Sequence, residues 1–327
     1  MFKYLLKRLL SLIPVVIIIS IMLFSFVKMM PGDPVRMMLG GSGTSIKDPV
    51  QYEKAYNALH EKLGLDKSLP EQYVRWVSTT AQGELGYSTS HNKPVVDVIA
   101  RPMKNTVVIN VVSIILSFVI SIVVGIRSAV KQGSFFDRSW QVTSIVGVSM
   151  PTLLISVLLI YIFSIKLNLV PIGGMPSMLD DGSIRYYMAL FPYMVLPLIT
   201  LTLGSFAGMI RYVRNAMLEV LSSDYIRTAR AKGLSQKVVI YSHAFRNALI
   251  PVVTIVAGSL PGIFGGAAIT EQIFAWNGIG KVLIDAVNSS DLNLVLAMNM
   301  FYAVLSLLSN ILMDVSYALV DPRVKLD

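Results

Sequence analysis

No cysteine occurs among the 327 residues, which excludes disulfides, thiolate nucleophiles and Cys-ligated metals but says nothing about the redox compartment. Histidine is scarce. His60, His91 and His243 stand alone, and the chain has neither an HExxH helix nor a GxSxG elbow, so metalloprotease and serine-hydrolase chemistry have no residues to use. Charged residues make up only 14% of the chain, and the long apolar runs hold almost none of them. A proton-coupled carrier needs a titratable group at depth, and the middles of these runs supply none. A complete phosphate loop is missing too. Gly278-Ile279-Gly280-Lys281 has Ala275 where the first glycine belongs and Val282 where a Ser or Thr would bind magnesium. ATP hydrolysis through that motif is therefore excluded.

What the chain has is apolar length. Hydrophobic residues account for 54% of it and the mean hydropathy is +0.65, which marks an integral membrane protein. The net charge of +9 does not indicate nucleic-acid binding, because basic residues beside membrane spans account for it and no basic and aromatic cluster suggests base stacking. A basic stretch, Met1–Leu10, precedes the uncharged run Leu9–Val27. A secretory signal shares this pattern. The run is longer than a usual signal core, and Pro31-Gly32-Asp33-Pro34 follows it in place of a small-residue cleavage site, so a retained first span is expected.

Five further segments, Val107–Ile126, Gln141–Ile165, Tyr187–Ile210, Asn247–Thr270 and Leu294–Leu319, are each long enough to cross about 30 Å of hydrocarbon. An all-α integral membrane fold with six transmembrane helices is expected. Arg127–Arg138 carries three basic residues and one acid, Arg211–Arg246 seven and two, and the N-terminus three and none. The opposite loops, Lys166–Arg185 and Glu271–Asp291, carry two and two, and one and three. The basic loops, and with them both termini, are expected in the cytoplasm.

The expected division is 1–28 for the cytoplasmic N-terminus and first helix, 29–105 for a small external helical domain, 106–320 for a five-helix core containing the cytoplasmic loop 211–246, and 321–327 for a cytoplasmic tail. Within the external region, Asp48-Pro49 starts a helix that ends at Gly64, and Ser68-Leu69-Pro70-Glu71 reads as a capping box opening a second. Pro151, Pro192, Pro197 and Pro261 predict kinks in spans packed within a bundle. Gly258, Gly262 and Gly266, with Thr254 and Thr270, recur every four residues in the fifth span. They suit close helix packing, contact with a second subunit, or a smooth wall for a substrate path. Glu271–Gly280 suits a turn or re-entrant dip, with Trp276 at the bilayer interface. Asp314, near the inner end of the last span, is either functional or paired with a loop arginine.

The most structured loop is Ser222–Pro251. Ser222 or Ser223 can cap a helix over Tyr225–Lys232, Gly233 can end it at positive φ, and Ser235 can cap a second helix, Gln236–Ala248. Physics alone allows this to be a basic loop that happens to be helical. Asp224-Tyr225-Ile226-Arg227-Thr228-Ala229-Arg230-Ala231-Lys232-Gly233-Leu234, with His243, Arg246-Asn247-Ala248-Leu249 and Pro251, resembles the EAA loop of ABC-importer permeases of the oligopeptide/dipeptide/nickel group. The generic Glu-Ala-Ala is not kept, since Arg227, Thr228 and Ala229 stand in its place. The first span with Pro31-Gly32-Asp33-Pro34, Leu63-Gly64-Leu65-Asp66, Gln72-Tyr73, Gly83–Ser88, Glu271–Gly280 and the terminal Asp314, Tyr317 and Asp321-Pro322-Arg323-Val324 are similar to the B-type (OppB/DppB-like) subunit. The resemblance implies a type I importer permease with a MetI-like core, forming half of a path for oligopeptides. It also implies a homologous second permease, two cytoplasmic ATPases that supply ATP and magnesium, an external substrate-binding protein, and an EAA helix docked on an ATPase. Dipeptides, nickel or glutathione are the alternative cargoes. A stand-alone secondary carrier and a membrane enzyme are rivals that lack a supporting motif.

Overall fold

The uncharged N-terminal run forms most of helix α1, Phe2–Met29. The computed structural model of the chain describes residues 2–29, 33, 35–36, 39, 48–62, 64–178 and 180–320. Pro31, Gly32, Pro34, Leu63 and the tail 321–327, with its Asp321-Pro322-Arg323-Val324, lie outside the described residues, as do the side chains of Pro251, Thr254, Pro261 and Tyr317. Two compact units emerge, Met1–Lys104 with Val282–Leu307 and Asn105–Lys281 with Leu308–Asp327.

The first unit contains α1, two short helices and a hairpin. α2, Pro49–Lys62, starts where Asp48 Oδ1 accepts the amide of Val50 at 3.0 Å, and Gly64 follows at φ +67°. α3, Leu69–Ala81, has the predicted box: Glu71 reaches back to the amide of Ser68 at 3.2 Å. Phe24 of α1 meets the rings of Tyr73 and Trp76 at 5.6 and 5.8 Å, and Ser20 Oγ lies 2.7 Å from Tyr73 Oη. Gly83 and Gly86, both at positive φ, lead into β1, Tyr87–Ser88, which pairs antiparallel with β2, Lys93–Pro94.

α4, Val95–Val130, starts directly after β2 and runs unbroken, so the expected boundary at 105 falls inside a helix. Residues 282–307 also belong to the first unit, which makes it larger than the contiguous 29–105 segment. Of the second unit, α5, Phe135–Ser149, and α6, Thr152–Leu159 with a wider turn over Ile160–Lys166, replace the expected continuous Gln141–Ile165 span. The pair is bent by 107°. Pro151 is the cause: it has no amide to donate and it drives Met150 into an extended conformation, φ −78° and ψ 129°. α7, Ile184–Leu221, carries Pro192 and Pro197 without a break.

After α7 come α8, Asp224–Ala231, α9, Gln236–Val238, a wide turn over Val239–Phe245, and α10, Arg246–Ser259. The expected Asn247–Thr270 span is also in pieces. α10 gives way to a 3-10 turn, Leu260–Ile263, Gly266 turns the chain at φ +66°, and α11 covers only Ala268–Ile273. Pro261 lacks the amide, and the glycines around it the side-chain restraint, that would carry a helix through. α12, Ile279–Asn288, and α13, Leu292–Val320, complete the chain.

The protein is thus mostly helical. Among the described residues four helices are long and apolar enough to cross a membrane, namely Leu6–Met29, Val95–Val130, Ile184–Leu221 and Leu292–Val315, and the bent pair makes five if it counts as one span.

Candidate functional site

The loop after α7 is built around α8. Its amphipathic spacing turns Ile226, 0% exposed, and Ala229, 7% exposed, into a core shared with Ile126 and Ala129 of α4, Val213 and Met217 of α7, and Val239, Ala244, Ala248 and Val252 further along the chain. The other predicted contact residues, Asp224, Tyr225, Arg227, Thr228, Arg230, Ala231, Lys232, Gly233 and Leu234, are exposed. Arg227 leans on Asp224 at 3.6 Å, and three cationic side chains dominate this face. Gly233 ends the helix at φ +78°, with nothing near the position of a Cβ.

Two details differ from expectation. Ser223 occupies the capping position, but its hydroxyl donates back to the Val220 carbonyl at 2.6 Å instead of accepting a helix amide. The second helix of the loop does not stop at Ala248: helical turns continue from Gln236 to Ser259, so the loop runs directly into the broken segment.

Glu271–Gly280 forms a buried polar knot. Glu271 is 2% exposed, and its Oε1 accepts from Thr106 Oγ1 at 2.8 Å while Oε2 accepts the Lys281 amide at 2.9 Å. Thr106 Oγ1 in turn accepts the Ile279 amide at 2.8 Å, and Asn105 Nδ2 donates to the Asn277 carbonyl at 2.8 Å. Gly278 and Gly280 leave room for this carboxylate: a Cβ on Gly278 would collide with it, and one on Gly280 would come within 2.9 Å of Oε2. The glycines that suggest a phosphate loop therefore surround an acid.

Trp276 is 1% exposed and packs with Ile109, Tyr186, Leu190, Met194 and Leu198, which corrects its expected place at the bilayer interface. Ala275 at φ +46° and the bond from the Trp276 amide to the Glu271 carbonyl, 2.8 Å, turn the ring inward.

Gly258, Gly262 and Gly266 do not form one face of a straight helix, because they lie on α10, in the 3-10 turn and at the positive-φ corner respectively. Gly258 has only Met313 Sδ near its Cβ position, at 3.7 Å, and Gly262 has nothing. Asp314 is half-buried in α13.

Sequence reasoning missed a hydroxyl and amide seam on α4. Thr106, Asn110, Ser113, Ser117 and Ser121 are all buried. Ser117 and Ser121 donate to the carbonyls of Thr202 and Phe206 on α7, at 3.4 and 3.3 Å, and Ser113 Oγ lies 3.5 Å from Thr202 Oγ1. Their spacing of three and four along an apolar run was the available signal.

Several apolar helices, a helical loop packed on the ends of two of them, and a broken segment continuous with it define a multi-pass membrane permease subunit. Residues 121–326 match the binding-protein-dependent transport system inner membrane component family, and residues 1–110 match the N-terminal part of the binding-protein-dependent transport system membrane component. The chain belongs to this family, as an OppB/DppB-like permease subunit of an ABC importer. It is 35% identical to a putative peptide permease protein of Brucella suis over 99% of both chains. It is also 35% identical to the oligopeptide transport system permease protein AppB of Bacillus subtilis, covering 99% of this chain and 100% of AppB. The dipeptide transport system permease protein DppB of Escherichia coli is 36% identical over 99% of both.

Proposed function

We propose that the chain forms one half of the translocation path of an ATP-driven importer for oligopeptides, and that Asp224–Leu234 is the surface an ATPase subunit grips. The observation that carries this is the division of Asp224–Leu234: Ile226 and Ala229 anchor it in the core, and the remaining nine residues face outward with a basic bias. A helix held on one side and open on the other transmits a push to the elements it is packed on. ATP and magnesium enter through two partner ATPases, a homologous permease supplies the other half of the path, and an external binding protein delivers the cargo. This chain supplies no catalytic group.

In this reading the chain crosses the membrane six times, the broken α5–α6 pair and the broken α10–α11 segment each counting as one crossing. Both termini and the loop 211–246 are cytoplasmic, with the tail 321–327, and the 29–105 region is external. The excess of basic residues in the loops assigned to the cytoplasm supports this orientation. Only 6% of the most apolar stretch of α1 is buried, which leaves its surface to lipid or to the second permease.

Dipeptide or glutathione cargo is the second reading, favoured by relatives that include DppB and the glutathione transport system permease protein GsiC of Escherichia coli. Nickel remains the other cargo the resemblance allows.

The test replaces Arg227 and Arg230 together with Glu, reversing the charge of the exposed face while leaving Ile226 and Ala229 in place. Loss of the copurifying ATPases with normal membrane insertion is expected. Full ATPase recovery and full peptide uptake would remove the docking assignment. Competition between di-, tri- and pentapeptides, glutathione and nickel for uptake separates the cargoes.

A further inference from the structure

The break after Ser259 takes backbone groups out of helical pairing, and two residues one turn apart on α4 bond to some of them, the Gly262 carbonyl also accepting the Gly265 amide at 3.3 Å. Asn110 Nδ2 donates to the carbonyls of Gly262 and Ile263 at 3.1 and 3.0 Å, on the near side of the break. On the far side the Ala267 amide donates to Glu271 Oε1 at 3.4 Å, and that oxygen also accepts from Thr106 at 2.8 Å. In an unbroken helix the carbonyls of Gly262 and Ile263 would take the amides of Gly266 and Ala267. Gly266 at φ +66° removes that option. A span can interrupt its helix inside a membrane only where neighbours satisfy the freed groups. Here α4 does this at Asn110 directly and at Thr106 through Glu271.

This break stands at the end of the continuous helical run that starts beside α8. Val239, Ala244, Ala248 and Val252 of that run share the core with Ile226 and Ala229, so a displacement of α8 is delivered to Gln236–Ser259 first. The run ends at the 3-10 turn, and Asn110 holds that turn.

We propose that Asn110 is a positioning residue for transport: its carboxamide fixes the pivot at which movement of the cytoplasmic loop becomes movement of the segment beyond the break, α11. A carboxamide suits the role because it offers two donors from one rigid plane and stays neutral at depth. With Asn110 intact, the run Gln236–Ser259 swings about a fixed turn. Without it, the turn yields and the displacement is dissipated before it reaches α11. The proposal rests on the reading of Asp224–Leu234 as the ATPase contact.

The experiment uses the assembled importer in liposomes, with radiolabelled trialanine and ATP, and measures ATP hydrolysed per peptide imported. Asn110→Leu removes both donors while keeping the branched shape and the number of heavy atoms. It is expected to raise the ratio about 5- to 10-fold, as for a modest loss of coupling between two sites. ATPase copurification should stay at the wild-type level, and Asn110→Gln should restore part of the coupling. A merely structural Asn110 would lower uptake and ATP hydrolysis in proportion, and an unchanged ratio overturns the proposal. Failure of the docking reading looks different, because ATPase recovery then stays full in the Arg227→Glu/Arg230→Glu variant whatever Asn110 does. Should Asn110→Leu not assemble, Thr106→Val, which unties the far side of the break, is read by the same ratio.

Discussion

Ser88 Oγ donates to Asp291 Oδ2 at 2.6 Å, joining β1 to the turn before α13 across 203 positions of sequence. Ser90 adds its amide at 2.9 Å and its hydroxyl at 2.7 Å to the same oxygen, and Oδ1 accepts the Leu294 amide at 3.2 Å. His91 Nδ1 lies 3.2 Å from Ser88 Oγ and 2.9 Å from Ser90 Oγ. Burial of Asp291 works against its ionisation, but the donors from Ser88, Ser90 and Leu294 outweigh it and hold the carboxyl below the usual aspartate range.

Because the folded-state pKa is depressed, the stabilisation from Asp291 is complete above the unfolded value of about 4. It fades as the pH falls below that value and is gone once the pH has passed below the depressed folded value. Asp291→Asn is expected to cost about 2–3 kcal/mol at neutral pH, the scale of a hydrogen bond to a charged group. The variant should also lose stability less steeply in acid than the wild type. Thermal unfolding in detergent between pH 3 and 7 measures both.

Asp137 and Arg214 form a two-pronged ion pair, with Nε to Oδ1 at 2.6 Å and a second guanidinium nitrogen to Oδ2 at 2.9 Å. Asp137 also accepts the Gly133 amide at 2.9 Å, and its own amide donates to Ser134 Oγ at 3.3 Å. Arg214→Ala leaves the buried carboxylate with neutral donors, the Gly133 amide and the Gln141 side chain, in place of a guanidinium, and is expected to destabilise by about 3–5 kcal/mol. Arg214→Lys keeps the charge but loses the two-pronged geometry, so an intermediate loss is expected. Chemical unfolding of the three proteins side by side ranks them.

Gly278→Ala is expected to abolish folding or reduce the yield severely, because the new methyl enters the space of the buried Glu271 carboxylate. Gly262→Ala should insert normally, since nothing lies near its Cβ position. Expression and monodispersity of the two variants distinguish a glycine needed for space from one that is not.

Gly233→Ala tests the end of α8 in isolation. The position is open but left-handed, so a cost of about 1 kcal/mol is expected, with ATPase recovery retained. Ile226→Asp, which puts a charge into a fully buried site, should instead prevent stable folding.

Local signals in the sequence carried through to the structure where the physics was local. The capping box at Ser68 and Glu71, the helix end before Gly64, the positive φ at Gly233, and the helix on each side of Gly233 depend on neighbours a few residues away. The break at Pro151 was visible as a proline, but its 107° bend was not, because the angle depends on what α5 and α6 pack against. Trp276 shows the opposite case. An aromatic at the end of an apolar run reads as an interface anchor, and only the turn at Ala275 sends it inward. The Glu271 knot was out of reach, since its partner Thr106 lies 165 positions away. The α4 seam was legible as a pattern, although its partners were not.

α7 has 38 residues and so extends about 57 Å, where the hydrocarbon needs only about 30 Å. Its last eleven residues, Arg211–Leu221, begin with an exposed arginine and tyrosine and reach about 16 Å past the apolar stretch. That is more than one headgroup layer. In the proposed topology this extension places α8, packed beside Val213 and Met217, on the water side of the hydrocarbon. A protein gripping it needs no affinity for membrane, and lipid composition should have little influence on how tightly it is held.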